Sequence, residues 1–136
     1  TSSINPSLPE INQWLVAARH PTKVLVDDKQ VAENLAQSDL ALISGGTLSF
    51  ETAVMGVPSL IIQIADNQSK NAAVWEEWGT ALNLGALPEL QPAFLQASVD
   101  KLVADSRLRQ EMSTTGMNVV DGQGVFRVAE MLIGGL

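Results

Sequence analysis

Short unbroken apolar runs alternate along this chain with longer stretches in which apolar residues recur every three or four positions. Val24-Leu25-Val26, Leu40-Ala41-Leu42-Ile43 and Ser59-Leu60-Ile61-Ile62-Gln63-Ile64 read as strands, and Ala81-Leu82-Asn83-Leu84 as a weaker fourth. The first three are continuous runs and not in-and-out alternations, the pattern of strands covered on both faces in a parallel sheet. Between them the helical spacing takes over. Residues 8–19 place Leu8, Ile11, Leu15 and Ala18 on one stripe, and 29–38 carry Val31, Leu35 and Ala36. A short helix over 48–55 stops at Gly56, a suitable terminator, with Pro58 beyond it. Another over 68–78 follows Asp66 and Asn67, either of which can cap it, and stops at Gly79. From Gln91 the pattern is wholly helical, over 92–104 and 106–115, and, after Gly122 and Gly124, over 125–133. Strands alternating with helices through short links predict an α/β fold: an open parallel sheet with helices on both faces and right-handed crossovers.

Composition narrows the classes. The 136 residues are enough for one domain over 1–136, and 46% hydrophobic with 17% charged residues suits a packed core. No apolar run approaches the roughly 20 residues needed to span a bilayer. No basic leader precedes an apolar stretch, so no signal peptide is visible. The first residue is Thr1, not Met, which fits a piece of a longer chain. There is no cysteine, which excludes disulfides and thiolate metal sites, and the expected location is the cytoplasm. His20 is the single histidine, so a zinc site would depend on carboxylates, and no metal or cofactor is expected. The net charge of −7 and the lack of a basic stripe argue against nucleic acid. A bound diphosphate remains compatible with that charge, because backbone N–H groups at a helix start can hold an anion.

The stretch richest in chemistry is Ser44-Gly45-Gly46-Thr47-Leu48-Ser49-Phe50-Glu51, which follows a buried strand and opens a helix. Open α/β sheets bind ligands beyond the carboxyl ends of their strands. Two glycines there let a ligand approach the backbone, and the helix start offers unpaired N–H groups. Glu51 lies four residues after Thr47 on the same face and leans back toward the loop, where a carboxylate can accept two hydrogen bonds from a ribose diol. An anion-binding end and a sugar-binding acid then sit about one turn apart. The plainer alternative is a tight Gly-Gly turn followed by a Glu that merely suits the helix dipole.

The ordered set Asp39-Leu40-Ala41-Leu42-Ile43-Ser44-Gly45-Gly46-Thr47, Glu51, Gly56-Val57-Pro58-Ser59-Leu60 and Ala65-Asp66-Asn67-Gln68 resembles the C-terminal half of GT-B glycosyltransferase-like proteins. The resemblance takes in the peptidoglycan N-acetylglucosaminyltransferase and, more closely, the UDP-sugar hydrolases of pseudaminic acid biosynthesis and their spore-coat-polysaccharide relatives. The tail Asp121-Gly122-Gln123-Gly124 with Arg127-Val128 looks like the end of the hydrolases. The resemblance implies a Rossmann-like, nucleotide-sugar-binding domain. It implies that the amides around Gly45, Gly46 and Thr47 hold the diphosphate and that Glu51 binds ribose hydroxyls. It also implies that Asp66, Asn67 and Gln68, with Asn71, face the donor's sugar and phosphates. For Asp66 and Asn67 an ordinary helix cap is an equal alternative, whereas Gln68 has less structural excuse.

The pattern departs from the family at its start. The glycine-rich strand and first helix of that half have no counterpart, and Thr1-Ser2-Ser3 falls where its second strand ends. The N-terminal half, which carries the catalytic histidine in the hydrolases, has no counterpart either. His20 does not match that histidine and reads as a surface loop residue. No catalytic residue is therefore expected in this chain. Three functions follow: the UDP-binding part of a hydrolase releasing UDP from a UDP-linked deoxy-amino sugar, the donor-binding half of a glycosyltransferase, or a non-catalytic nucleotide-sugar-binding subunit. The resemblance also implies a sheet order of 3-2-1-4-5-6 with the central strand missing. The strand before Ser44 should then have an open edge, which either pairs with the chain's remaining strands or invites self-association. Trp14, Trp75 and Trp78 are expected to pack helices on the sheet, with Met112 and Met117 as ordinary core or helix-end residues.

Overall fold

The structure, a computed structural model, describes residues 1–134. It contains two compact units, Thr1–Glu33 and a larger one beginning at Asn34.

In the first unit, α1 (Leu8–Val16) carries Pro9 in its first turn, where the missing N–H has no helical acceptor to lose. Leu8, Ile11, Leu15 and Ala18 are half-buried while the residues between them are exposed, which is the stripe the spacing predicts. The helix ends before 19: the Ala17 N–H closes on the Trp14 carbonyl at 3.0 Å. Val24-Leu25-Val26 is not a strand. The Thr1 ammonium donates to the Leu25 carbonyl at 2.7 Å and the Asp27 N–H to the Thr1 carbonyl at 2.8 Å. Asp27 then turns left-handed at φ 49° while its carboxylate accepts from the Ser3 N–H at 2.9 Å. A ladder one residue long cannot propagate, so the apolar run stays an extended link. α2 (Val31–Ala36) spans the division between the units.

The second unit is a Rossmann-like α/β layer structure. Its sheet holds β1 (Ala41–Ser44), β2 (Ser59–Gln63) and β3 (Ala81–Ala86) in that order, all parallel. Ala41 pairs with Ser59 and Ser59 with Ala81. The helices are α3 (Leu48–Val54), α4 (Ser69–Glu77), α5 (Pro92–Ala104), α6 (Ser106–Val119) and α7 (Gly124–Gly134). Leu60 and Ile61 are neighbours on β2 and both are 0% exposed. Because successive strand residues point to opposite faces, this pair shows a sheet covered on both sides. Ile61 joins Ala41, Ile43, Ala81, Ala53 of α3 and Trp75 of α4. Leu60 joins Leu84, Leu102 of α5 and Met112 of α6. Each of these two side chains contributes about 1.5–3 kcal/mol by burial.

The helix ends follow local chemistry. Gly56 (φ 68°) and Gly79 (φ 73°) supply the left-handed residue after α3 and α4. Each end carries a paired closure: Gly56 N–H to Ala53 O with Val57 N–H to Thr52 O, and Gly79 N–H to Glu76 O with Thr80 N–H to Trp75 O. α5 begins at Pro92, and the Asp105 carboxylate caps α6 by accepting from the Leu108 N–H at 2.9 Å. α6 runs past 115, through Gly116. There the helix crosses α3 so closely that a Cβ would fall 2.9 Å from the Ala53 carbonyl oxygen. This glycine serves a backbone contact and does not end the helix. No helix among the described residues is long and apolar enough to cross a membrane.

Candidate functional site

β1 delivers Ser44 to the carboxyl end of the sheet, and the chain turns through Gly45, Gly46 and Thr47 into α3. Neither glycine has a positive φ, so backbone handedness does not explain them. Gly45 is a packing glycine: a Cβ there would lie 3.1 Å from the Gln68 Cβ and 3.4 Å from Ile61 Cγ2. Gly46 faces open ground, its nearest neighbour being Ser44 Oγ at 3.8 Å.

The two glycine carbonyls are held from within. Asn71 Nδ2 donates to the Gly45 carbonyl at 2.7 Å, and Ser49 Oγ donates to the Gly46 carbonyl at 2.6 Å. Asn71 Nδ2 also reaches Ser49 Oγ at 3.4 Å. All peptides among the described residues are trans. In a trans peptide the N–H points opposite to the C=O, so tethering these carbonyls turns the Gly46 and Thr47 N–H groups the other way. Neither N–H donates to a group among the described residues. The result is two adjacent, outward-facing donors, able to bind an anion. α3 has only seven residues, so its macrodipole adds little and the loop donors carry the weight.

The predicted site residues divide by what they touch. Gln68 and Asn71 build the loops. Gln68 Oε1 accepts from the Ile64 N–H at 3.0 Å while its Cβ packs on Gly45, which gives Gln68 the structural work that its position in the sequence did not suggest. Thr47, Glu51, Asp66 and Asn67 are exposed. Neither Asp66 nor Asn67 caps a helix through its side chain. They form the 3-10 turn Asp66–Gln68, whose N-cap is Ala65, and the N-cap of α4 is Gln68. The capping alternative for this pair is thereby removed.

A depression of about 420 Å³ opens at the carboxyl ends of β2 and β3, lined by Gln63, Ile64, Asp66, Ser69, Pro88 and Glu89 among others. Asn83 shapes it: its Oδ1 accepts from Gln63 Nε2 at 2.9 Å and from the Gly85 N–H at 3.0 Å. Gly85 is left-handed at φ 80°, and the β2–β3 register shifts here so that Gln63 pairs with Ala86. Gln63, Asn83 and Glu89 are absent from the predicted site. Their one sequence signal is the polar break that Gln63 and Asn83 make in otherwise apolar strands. A separate depression of about 320 Å³, lined by Ser38, Gly56 and Arg109, lies toward the amino ends of the strands, away from the edge where open α/β sheets bind ligands.

Two further groups frame the unit. Arg127 makes a forked pair with Asp121, at 2.7 and 3.0 Å. The Arg127 guanidinium and the Gln123 N–H hold the Asp121 carboxyl at about 2. Trp75 is 1% exposed, with Phe50 edge-on at 4.9 Å and Trp78 at 5.3 Å, and its Nε1 has no partner among the described residues. Trp75 packs on the sheet as expected, and half-exposed Trp78 packs through it. Trp14 does not: it is 68% exposed on α1. His20 is an exposed loop residue, as its place before Pro21 suggests. Met112 is buried in the core, while Met117 is largely exposed, with its Sδ near Gly56.

The chain is 31% identical over 111 residues to the spore coat polysaccharide biosynthesis protein SpsG of Bacillus subtilis (strain 168), a match covering 81% of this chain and 32% of that protein. It thus spans about a third of the length of the relative it matches. No protein-family model matches the chain, and no solved structure matches it.

Proposed function

We propose that this chain is the UDP-binding part of a sugar-nucleotide hydrolase in bacterial surface-glycan biosynthesis. The observation that carries the reading is the pair of outward-turned N–H groups at Gly46 and Thr47, set at the carboxyl edge of a parallel sheet by the grip of Asn71 and Ser49 on the loop carbonyls. The similarity to a spore coat polysaccharide biosynthesis protein supports the pathway class. In this reading the Gly45–Thr47 amides receive the diphosphate, Glu51 accepts from the ribose hydroxyls, and Asp66 and Asn67 face the sugar. Gln68 and Asn71 act as positioning residues.

The chemistry is hydrolysis of the bond between the sugar's anomeric carbon and the diphosphate oxygen. Water's oxygen bonds to that carbon, its proton passes to solvent, and UDP leaves with the bonding pair. This chain's contribution is to the leaving group: fixed donors on the diphosphate stabilise the charge that develops there. We assign no general acid or base to it, and turnover requires a further half that closes the donor cleft. The free edge of β1, which pairs only with β2 among the described residues, is where self-association of the isolated chain would occur.

Calorimetric titration with UDP and ADP tests the reading. Preference for UDP is the expected result; equal affinity for both, or none for UDP, rejects it. Release of UDP from UDP-sugars by the 136-residue chain alone would reject the assignment of catalysis to a further half.

A further inference from the structure

The donor-site reading turns Asp66 toward the sugar, and Asp66 lines the depression beyond β2 and β3. Its walls are two 3-10 turns, Asp66–Gln68 after β2 and Leu87–Glu89 after β3. The first wall is continuous with the anion-binding loop, since the Gln68 Cβ would meet a Cβ on Gly45 at 3.1 Å. The second wall is positioned by Asn83, whose bonds to Gln63 and Gly85 accompany the register shift at the end of β3. At about 420 Å³ the space falls within the range of small-molecule sites.

Its charge is one-sided. Asp66 and Glu89 both line it, one on each turn, together with Gln63 at the end of β2 and Ser69 at the start of α4, and no lysine or arginine lines it among the described residues. Neither carboxylate is in an ion pair among the described residues. Polyhydroxylated or amine-bearing rings suit such a lining, because carboxylates accept from O–H and N–H donors. A ring carrying its own carboxylate meets two like charges across a partly solvated space.

Resting on the donor-site reading, we infer that this depression is the glycosyl subsite and that Glu89, together with Asp66, makes it selective by charge: neutral and amino sugars enter, uronic acids are excluded. Glu89 is the specificity-determining residue that the sequence did not mark. It is exposed on a turn, makes no side-chain hydrogen bond or ion pair among the described residues, and can be reversed in charge without touching the core.

The 136-residue chain is titrated calorimetrically with UDP, UDP-N-acetylglucosamine and UDP-glucuronic acid, and the series is repeated with Glu89→Lys. The expected order places UDP-glucuronic acid at least about tenfold weaker than UDP-N-acetylglucosamine, a gap that narrows as salt is raised. Glu89→Lys should close or invert the gap, read as the ratio of the two sugar nucleotides' affinities so that any common effect of the added charge on the diphosphate cancels. If UDP binds but the two sugar nucleotides bind equally, or if the lysine variant leaves their ratio unchanged, the glycosyl-subsite assignment is overturned while the donor site stands. If UDP itself does not bind, both fall together.

Discussion

Asn71 offers the sharpest separation between building the site and touching the ligand. Its Nδ2 holds the Gly45 carbonyl at 2.7 Å, and Gly45 is buried. Asn71→Ala removes the bond to the Gly45 carbonyl, about 0.5–1.5 kcal/mol net, with the long contact to Ser49 Oγ, and leaves a buried carbonyl unsatisfied, which brings the loss to about 1–3 kcal/mol. Alanine's better helix propensity in the first turn of α4 returns at most roughly 0.7 kcal/mol, so the sign is secure. A urea midpoint should fall by roughly 0.2–1.5 M at an m-value of about 2 kcal/mol/M. The released Gly45–Gly46 peptide must then be reordered by the ligand at about 1–2 kcal/mol, or roughly 5- to 30-fold in UDP affinity. Asn71→Asp should behave no better, because a carboxylate faces the carbonyl without a proton to donate. A residue that only touched ligand would lower affinity and leave stability alone. Unchanged stability in Asn71→Ala, together with unchanged UDP affinity, would refute the claim that this side chain aims the loop.

Glu51→Ala should cost about 2–4 kcal/mol of UDP binding, two charge-assisted bonds of about 1.5–3 kcal/mol each with incomplete additivity, while a melting curve moves little; unchanged affinity would return Glu51 to a surface role. Gly116→Ala gains up to about 1 kcal/mol in helix propensity, yet its Cβ would sit 2.9 Å from the Ala53 carbonyl oxygen. A net loss of about 1–3 kcal/mol in thermal or urea unfolding is therefore expected, and a stabilised variant would contradict the α3–α6 contact. The Asp121 carboxyl, held at about 2 against an ordinary 3.8 by Arg127 and the Gln123 N–H, stabilises the fold above the ordinary value. That stability is lost as pH falls from about 4 toward 2. The stability gap between the parent and Asp121→Asn should accordingly be full at pH 6 and shrink over that window; a gap independent of pH would show that the pair does not titrate as described.

The sheet was legible where burial leaves the plainest trace. β2 is an unbroken apolar run because both of its faces are covered, and α5 announces itself by Pro92 at its first position. β1 reads the same in sequence, yet only Ala41 and Ile43 are buried and Leu42 is 48% exposed, so one face of this edge strand is open. Val24-Leu25-Val26 looks the same over three residues, but an apolar run that short carries no period, and only its missing ladder separates a strand from an extended link. The helix read over 106–115 runs on to Val119 because Gly116, a residue type common at helix ends, here admits the neighbouring backbone of α3. Trp14 is large and apolar and still faces outward, since size alone does not say which way a helical residue points. In the candidate site, the glycine loop and Glu51 stood out because they join an apolar run to the start of a helix. The division of Asp66, Asn67, Gln68 and Asn71 into exposed and loop-building side chains depends on contacts 20 or more residues apart, such as Asn71 to Gly45, which local pattern does not encode. Glu89 was invisible because its wall exists only through the register shift beside Gly85.

The central claim is that the loop between β1 and α3 receives a diphosphate on its own N–H groups. Amide-resolved NMR titration of the 15N-labelled chain reads those groups directly, with uridine as the control lacking phosphates. UDP should produce its largest shifts at the Gly46 and Thr47 amides, with smaller ones at Gly45 and Leu48, and uridine should leave the first two nearly unmoved. Saturating UDP that shifts resonances elsewhere while the Gly46 and Thr47 amides stay in place would contradict the account.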